Sequence, residues 1–266
     1  MRHTRRAVAL LALLAAPALA RAGEAVPPVE EIVKKAERVA YYQGDDGRSD
    51  VKMTIVDAQG RTREREFVIL RKDVRDGGDQ KFYVYFHSPA DVRRTIYRVW
   101  KHVGEEDERW LYTPGLDLVR QIAPSDKRTS FVGSHFYYED VSGRSVADDT
   151  HELVQTTDQH FVVRNVPKKP RLVEFASYTV WIDRKTFMPM KAEYIHKDDN
   201  SKYRVVEALE VKEIQGFPTV TRSRVRDLKS GGHTISEFSE IEYDIGLPDS
   251  LFGTRYERRP PRRYLD

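Results

Sequence analysis

From residue 50 onward, apolar residues recur at every second position, and this alternation constrains the fold more than any other feature of the chain. Val51, Met53 and Ile55 alternate with polar residues, and a turn at Gly60 leads into a second alternating segment. A period of two is typical of a β-strand with one buried face. Similar segments, separated by short turns, continue to residue 243. We therefore predict a mainly β fold, with about eleven strands in one wide antiparallel sheet of up-and-down order.

The predicted sheet has one solvent-exposed face, since Arg222, Arg224 and Arg226 lie on the same side of a strand near the C-terminus. A sheet this wide curls, which gives it a concave face and the shape of a half-barrel. Residues 81–87 carry large side chains on both faces. That strand is expected to be central, or to have one face towards a lined cavity.

An N-terminal helix is predicted to cover part of the concave face. Pro27 and Pro28 precede it, and Gly44 follows its expected end near Tyr42. An apolar stripe along the helix must be buried against a sheet face. The stripe consists of Val29, Ile32, Val33, Ala36 and Val39 or Ala40.

A helical or irregular insert near residues 125–141 is the second predicted cover. An aromatic, partly apolar segment inserted into a long sheet indicates a lid, and a lid over a hollow indicates a bound apolar ligand. The acidic pair 139–140 ends the insert and is expected to tie it to the sheet through Arg120 or Arg128. The aromatic residues of the insert are Phe131, Phe136, Tyr137 and Tyr138.

Residues 1–22 have the pattern of a cleaved secretory signal peptide, with arginines, an apolar run too short to span a bilayer, and an Ala-x-Ala cleavage site. No cysteine is present to carry a lipid anchor, so we expect release into the periplasm without lipidation. These residues hold four arginines and no acid, so the formal net charge of +3 becomes −1 without them. The basic isoelectric point is therefore not evidence for nucleic-acid binding.

Residues 23–266 show no shift of composition, and we predict that they form one domain. Its basic C-terminal tail, residues 255–266, is expected to be solvated or to form a docking strip for an acidic partner or anionic headgroups.

The residue patterns offer little for catalysis. Residues 151–155 begin like a zinc-protease helix but lack the second histidine, and no G-x-S-x-G motif occurs. The neighbouring Ser134 and His135 do not by themselves form a catalytic pair, and the acidic clusters fall in predicted turns. We therefore predict no enzyme activity, no catalytic residues, no metal and no cofactor.

Four blocks of sequence carry a family resemblance. The most specific is S-F-x-G-S-x-F-x-Y-E-D at residues 130–140, and residues 88–92, 110–114 and 246–252 add to it. In these blocks the chain resembles the LolA-like family of periplasmic lipid and lipoprotein carriers, in the branch of outer-membrane lipoprotein-sorting proteins associated with RND-type exporters. One departure is Arg94, which stands where the family pattern has glycine. The resemblance implies a curved antiparallel half-barrel closed by helices, an apolar cavity that shields acyl chains, and no catalysis.

We therefore expect a monomeric periplasmic carrier that binds the acyl chains of a lipid or lipoprotein. It would pass them between an inner-membrane RND-type exporter and the outer membrane. The alternative is an envelope sensor or scaffold of the same fold that binds a protein partner. The residues predicted to line the cavity or its lid are Trp100, Trp110, Tyr112, Phe131, Phe136, Tyr138, Trp181, Met188 and Met190.

Overall fold

Thirteen antiparallel strands form one open sheet in residues 25–265, the part of the chain that this computed structural model describes. The predicted signal peptide lies outside the described residues. The wide antiparallel sheet is confirmed, and the expected count of about eleven strands is corrected to thirteen. In chain order the strands are β1 Asp46–Val56, β2 Thr62–Asp73, β3 Gln80–Ser88, β4 Ile96–Lys101, β5 Glu108–Thr113, β6 Leu118–Gln121, β7 Asp149–Thr156, β8 His160–Pro167, β9 Phe175–Asp183, β10 Pro189–His196, β11 Lys202–Ile214, β12 Phe217–Asp227 and β13 Gly232–Tyr243.

Strand β7 has no counterpart in the sequence prediction. It contains residues 151–155, which share the start of a metal-binding helix motif. Only Leu153 among its aliphatic side chains is partly buried, and Val154 beside it is exposed. Because β7 is an edge strand with mostly exposed side chains, its alternation of apolar and polar residues is too weak to recognise.

The strand order shows that the chain crosses the hollow once. The order is β6-β5-β4-β3-β2-β1-β13-β12-β11-β10-β9-β8-β7, so β6 and β7 are the two edge strands. The chain runs outwards from β1 to β6, crosses to the opposite edge through residues 122–148, and returns until β13 pairs with β1. The up-and-down order therefore holds within each half and is interrupted at this crossing segment, which contains the predicted insert.

The sheet curves strongly around its covered face. Phe82 on β3 and Val163 on β8 line the same cavity, although these strands lie eight positions apart in the sheet. In a flat sheet they would be roughly 38 Å apart, since neighbouring strands are about 4.8 Å apart. One cavity can contact both strands only because the sheet bends around it.

Helix α1 (Val29–Tyr41) covers part of the concave face, as predicted, and it lies near the β7 edge. Pro28 precedes its first turn, where Glu30 and Glu31 complement the helix dipole. The buried residues Ile32 and Val33 pack against strands β8 and β9. No helix in residues 25–265 is both long and apolar enough to cross a membrane.

Strand β3 is buried on both faces, as its sequence predicts. Phe82, Val84 and Phe86 pack under the crossing segment on the concave face. Tyr83 and Tyr85 pack on the convex face, under residues that follow β13. The two-sided pattern of large residues therefore reflects two separate covers.

The second cover is the C-terminal segment, residues 244–265, which folds back over the convex face of the sheet. Leu251 and Leu265 are buried there, and the buried Glu257 pairs with Arg98 on β4. The segment contains helix α3 (Arg255–Arg258). The inner side of the predicted basic tail is thus part of the core, and its arginines are exposed on the outer side.

We expect Leu251→Ala to lower the free energy of unfolding by about 2–5 kcal/mol, because it leaves a cavity between the C-terminal segment and the sheet. Leu251 is 1% exposed, whereas Leu172 is 70% exposed. Leu172→Ala is the control and should change this free energy by less than about 0.5 kcal/mol. Urea unfolding followed by tryptophan fluorescence measures both. Equal effects would contradict the packing described here.

Candidate functional site

The crossing segment is anchored to the sheet by aromatic packing. A bridge between Ser130 and Tyr137 folds it into a tight loop. At one end of this loop the ring of Phe131 lies 5.7 Å from that of Phe86 and 5.5 Å from that of Tyr97. Tyr138 begins the short helix α2 (Tyr138–Ser142) and packs edge-on against Phe131. This half of the hollow is therefore filled with side chains.

A buried ion cluster holds the same segment to the other half of the sheet. Arg128 pairs with Glu139 on α2 and, at 2.8 Å, with Glu174 before β9. Its guanidinium lies 4.8 Å from the centre of the Phe175 ring. Arg144 extends the cluster to Asp149 on β7, at 2.9 Å. Of the two arginines expected to bind the acidic pair 139–140, Arg128 is the one that does so.

A second buried arginine repeats this arrangement. Arg204 on β11 pairs with Asp140 and lies 4.2 Å from the centre of the Tyr137 ring. Its Nε and Nη1 atoms have no hydrogen-bond partner among the described residues. The aromatic rings of Tyr137 and Tyr194 occupy the space around the guanidinium instead. Stacking on these rings compensates part of the lost hydration.

The cluster lowers the pKa values of two of its carboxyl groups, Glu174 and Glu139. Burial alone would raise the pKa of Glu174, but hydrogen bonds and charge from Arg128, with a hydrogen bond from Tyr203, lower it to about 2. Burial likewise opposes the pKa change at Glu139, which Arg128, Arg144 and Lys127 hold below its ordinary value. Both carboxylates therefore stay ionised at neutral pH although burial favours their neutral forms.

A cavity of about 520 Å³ lies between α1, the crossing segment and the sheet. Its walls are mainly apolar. Helix α1 contributes Val33, Ala36, Val39 and Ala40, and the crossing segment contributes Phe131, Phe136 and Val141. The strands contribute, among others, Met53, Ile69, Val180, Met190, Val206 and Phe238.

Polar groups at one end of the cavity are mostly engaged with the protein itself. Arg71 donates hydrogen bonds to the carbonyl oxygens of Tyr41 and Gly44, each at 3.0 Å, and pairs with Asp73. It thereby satisfies the carbonyl of the last residue of α1 and one that follows the helix. The side chain of Gln43 bonds to Pro218 and Tyr243. These contacts fix α1 to the sheet and leave the apolar walls as the surface available to a ligand.

Four of the nine predicted site residues line this cavity: Phe131, Phe136, Met188 and Met190. Tyr138 lies behind Phe131 in the packed half of the hollow. Whether any of them contacts a ligand stays a prediction.

The other four predicted residues lie away from the cavity. Trp100 and Trp110 point to the convex face, where Lys81 and Arg98 respectively lie over their rings. Tyr112 packs in the convex-face cluster under the C-terminal segment. Trp181 stacks with Lys191 at 4.7 Å, while its neighbours on β9 point into the cavity. Residue type alone suggested them, and the strand alternation places them on the opposite face.

Sequence reasoning missed most of the aliphatic lining. The side chains of Val39 and Ala40 on α1, and of Val206 and Ala208 on β11, face the cavity. The apolar stripe of α1 was a usable signal, because a stripe that covers a hollow must also line it. Small residues on strands carry no such signal by themselves.

The side chains of Ser134, His135 and His151 form hydrogen bonds within the fold. The Nδ1 atom of His135 lies 2.8 Å from Oγ1 of Thr234. His151 bonds to Asn165 and to the carbonyl of Val146. Ser134 accepts a hydrogen bond from the backbone of Phe136. No group of three or more metal-ligating side chains lies together within residues 25–265.

Comparison with known proteins places the chain in a family. A family model described as "Uncharacterized protein" matches residues 78–259. A DUF1329 family protein from Desulfovibrio piger has 27% sequence identity and a TM-score of 0.77, with 86% of this chain and 99% of that one covered. The chain belongs to the family that this model describes.

Two further solved structures share the fold of this chain. A putative outer membrane lipoprotein-sorting protein domain from Vibrio parahaemolyticus has 22% identity and a TM-score of 0.77, covering 86% of this chain and 97% of that one. A LolA superfamily protein from Nitrosomonas europaea has 18% identity and a TM-score of 0.66, covering 87% and 100%. No curated protein matches the sequence. The resemblance predicted from residues 88–92, 110–114, 130–140 and 246–252 is confirmed at the level of the family.

The departure from the family pattern at Arg94 has a structural correlate. Arg94 has a φ angle of +69°, in the left-handed region that favours glycine. The turn between β3 and β4 therefore keeps the backbone conformation that glycine would adopt, and an arginine side chain is accommodated there at some cost in backbone strain.

We expect the ion cluster to make the stability of the fold sensitive to acid. The folded-state pKa of Glu174, about 2, lies below its ordinary value of 4.5. The stabilisation is therefore complete above the ordinary value and is lost as the pH falls from 4.5 towards 2. Glu174→Gln should lower stability at neutral pH and flatten this decline. Urea unfolding at a series of pH values measures it.

Glu152→Gln is the control for that experiment, because Glu152 is an exposed carboxylate 3.9 Å from Arg164 on the neighbouring strand. It should leave both the stability at neutral pH and its acid dependence close to those of the unchanged chain. An identical pH profile for Glu174→Gln and the unchanged chain would show that Glu174 does not contribute to the acid response.

Proposed function

We propose that this protein is a periplasmic carrier that binds the acyl chains of a lipid or lipoprotein in the cavity. The observation that carries the proposal is the open space of about 520 Å³ with mainly apolar walls under α1 and the crossing segment. Sites for small ligands commonly measure about 300–1,000 Å³ and are lined mainly by apolar side chains. The size and the chemistry of this space therefore fit a hydrocarbon tail.

The energetics of burial support a ligand of this kind. Each methylene group removed from water contributes about 0.8 kcal/mol, so a long acyl chain gains on the order of 10 kcal/mol. Phe131, Phe136, Met188 and Met190 are the predicted contacts that line the space. The unbranched thioether side chains of the two methionines can adapt to chains of different shape. The carrier needs no catalytic residue for this task, since a tighter acceptor can drive release.

The proposed route of transfer follows from the export pattern of the sequence and from the family. Residues 1–22 would direct the chain across the inner membrane, and we propose that the exported protein is not lipidated, since the sequence contains no cysteine. We propose that the carrier works as a monomer between an inner-membrane RND-type exporter and the outer membrane. The lipoprotein-sorting description of the Vibrio parahaemolyticus domain supports this proposed route.

The alternative of an envelope sensor or scaffold makes a different demand on the hollow. A scaffold that binds a protein partner on its surface could fill the hollow with its own side chains. The half of the hollow under Phe131 and Tyr138 is filled in this way, but the half under α1 is open. This unfilled volume favours the carrier.

We expect the protein, purified without detergent, to carry lipid that native mass spectrometry detects, and to bind a fluorescent fatty acid. Both follow from the gain in burying methylene groups in the cavity. Absence of copurifying lipid together with absence of fatty-acid binding would contradict the carrier and leave the scaffold.

Filling the cavity should abolish this binding without unfolding the protein. Ala40 lies on α1, lines the cavity and is otherwise exposed. Ala40→Trp is expected to weaken fatty-acid binding at least about tenfold, because the indole ring takes volume from the ligand. Lys34→Trp adds the same ring to an exposed position of α1 that does not line the cavity, and should bind normally. Equal affinities for the two variants would place the ligand elsewhere.

A further inference from the structure

The loops between the strands fall into two groups at opposite ends of the sheet. All the strand pairs are antiparallel, so successive hairpin loops alternate between the two ends. We call the first group the basic end: residues 57–61, 89–95, 114–117, 168–174, 197–201 and 228–231. The second group, the acidic end, comprises residues 74–79, 102–107, 157–159, 184–188 and 215–216.

The two ends differ in charge. Loops of the basic end contain eight lysines and arginines and six acidic residues. Loops of the acidic end contain three lysines and arginines and six acidic residues. Four of the acidic residues at the basic end, Asp57, Asp91, Asp117 and Glu174, are paired with arginines. The molecule therefore presents positive charge at one rim of the half-barrel and negative charge at the other.

Three exposed leucines lie at the basic end, and the two most exposed, Leu116 and Leu172, lie near opposite edges of the sheet, whereas Leu228 is 43% exposed. Leu172, in the loop between β8 and β9, is 70% exposed. The same loop contains Lys168, Lys169 and Arg171, all exposed. No aliphatic neighbour within the loop covers Leu172, because Pro170 is exposed and Val173 is buried beneath the sheet end.

Leu116, in the loop between β5 and β6, is 73% exposed and has a similar setting. The adjacent Asp117 pairs with Arg258 at 2.8 Å. This contact joins the loop to helix α3, where the first residue, Arg255, is exposed, as is Arg259 directly after the helix. Each leucine thus projects from the same rim beside a group of basic side chains.

We propose that the basic end docks on a membrane surface rich in anionic phospholipid, with Leu116 and Leu172 entering the apolar layer. Basic side chains near such a surface are attracted to the headgroups, and apolar side chains at its boundary add burial. A bilayer presents one continuous flat surface, so two separate loops at the same end of the sheet can contact it at the same time. An acidic protein would account for the charge but not for exposed leucines on two separate loops of this end.

This inference goes beyond the proposed function, and it does not depend on what the cavity holds. The acidic end carries exposed apolar residues as well, Val74 at 51% and Val103 at 50%. They lie among carboxylates, which anionic headgroups repel. Charge therefore selects which end meets the membrane, and the apolar residues of the acidic end serve as controls.

Vesicle flotation tests the proposal with the chain from residue 23 onward, which contains all of residues 25–265. The N-terminal apolar run is left out because it would itself bind lipid. Vesicles of phosphatidylcholine alone are compared with vesicles that also contain phosphatidylglycerol. Binding is expected only to the second kind, and added salt should weaken it. Failure to bind, or equal binding to both kinds, would overturn the proposal.

Variants at the two ends locate the contact. Lys168→Gln, Lys169→Gln and Arg171→Gln together should weaken binding at least about tenfold, since each basic residue at the surface adds attraction. Lys34→Gln, Arg75→Gln and Lys185→Gln remove three exposed charges elsewhere and should leave binding within about twofold of the unchanged chain. An equal loss in both sets would show attraction through overall charge and would overturn the docking surface.

The leucines separate a bilayer from an acidic protein surface. Leu116→Ser with Leu172→Ser should weaken vesicle binding about tenfold or more, because two apolar side chains no longer enter the membrane. Val74→Ser with Val103→Ser at the acidic end should have no effect. Salt-sensitive binding that survives both leucine substitutions would favour a purely electrostatic partner, such as an acidic protein, and would overturn the bilayer proposal. Circular dichroism and urea unfolding of each variant confirm that its fold is retained.

Discussion

Arg128 makes the contact on which the rest of the concave face depends. It lies in the one segment that crosses the hollow, and it binds a carboxylate on that segment and another beside β9. Taking such charges out of water costs several kcal/mol per ion, and the cost is recovered only when every partner is in place. The ion cluster therefore adds little net stability, but it forms only when its charged groups lie at the right distances and angles. It specifies where the crossing segment lies, and with it the boundary between the filled and the open halves of the hollow.

The open half exists because of side-chain size as much as backbone shape. Under the crossing segment, the inward positions of β2, β3 and β4 carry Phe67, Phe86 and Tyr97, which fill the space. On β10 and β11 the positions that face the cavity include Ala192 and Ala208. Smaller side chains on β10 and β11 do not change the curvature of the sheet, since the backbone hydrogen bonds between its strands are unchanged. The volume that aromatic rings occupy on one side is thus left empty on the other.

Much of this architecture could be read from the sequence, because its signals are local. Alternation gave the strands, proline and an apolar stripe gave α1, and the two-faced residues of β3 correctly indicated cover on both sides. The edge strand β7 was not predicted, because most of its side chains are exposed and polar and its alternation of apolar and polar residues is therefore weak. The site was harder. Trp100 and Trp181 have the residue type of a lipid contact, but the face to which they point depends on register, which no single segment reveals. The partnership of Arg128 with Glu174 joins residues 46 positions apart and needed the fold itself.

The pairing of β1 with β13 has a consequence for how the chain acquires its shape. Val51 lies opposite Phe238, so the middle of the sheet is a seam between the start and the finish of the folded region. Neither half can complete this seam until almost all of the polypeptide is available, and contacts so distant in sequence form slowly. A nascent chain would therefore stay unfinished, and threadable through a narrow pore, until its last long strand had emerged.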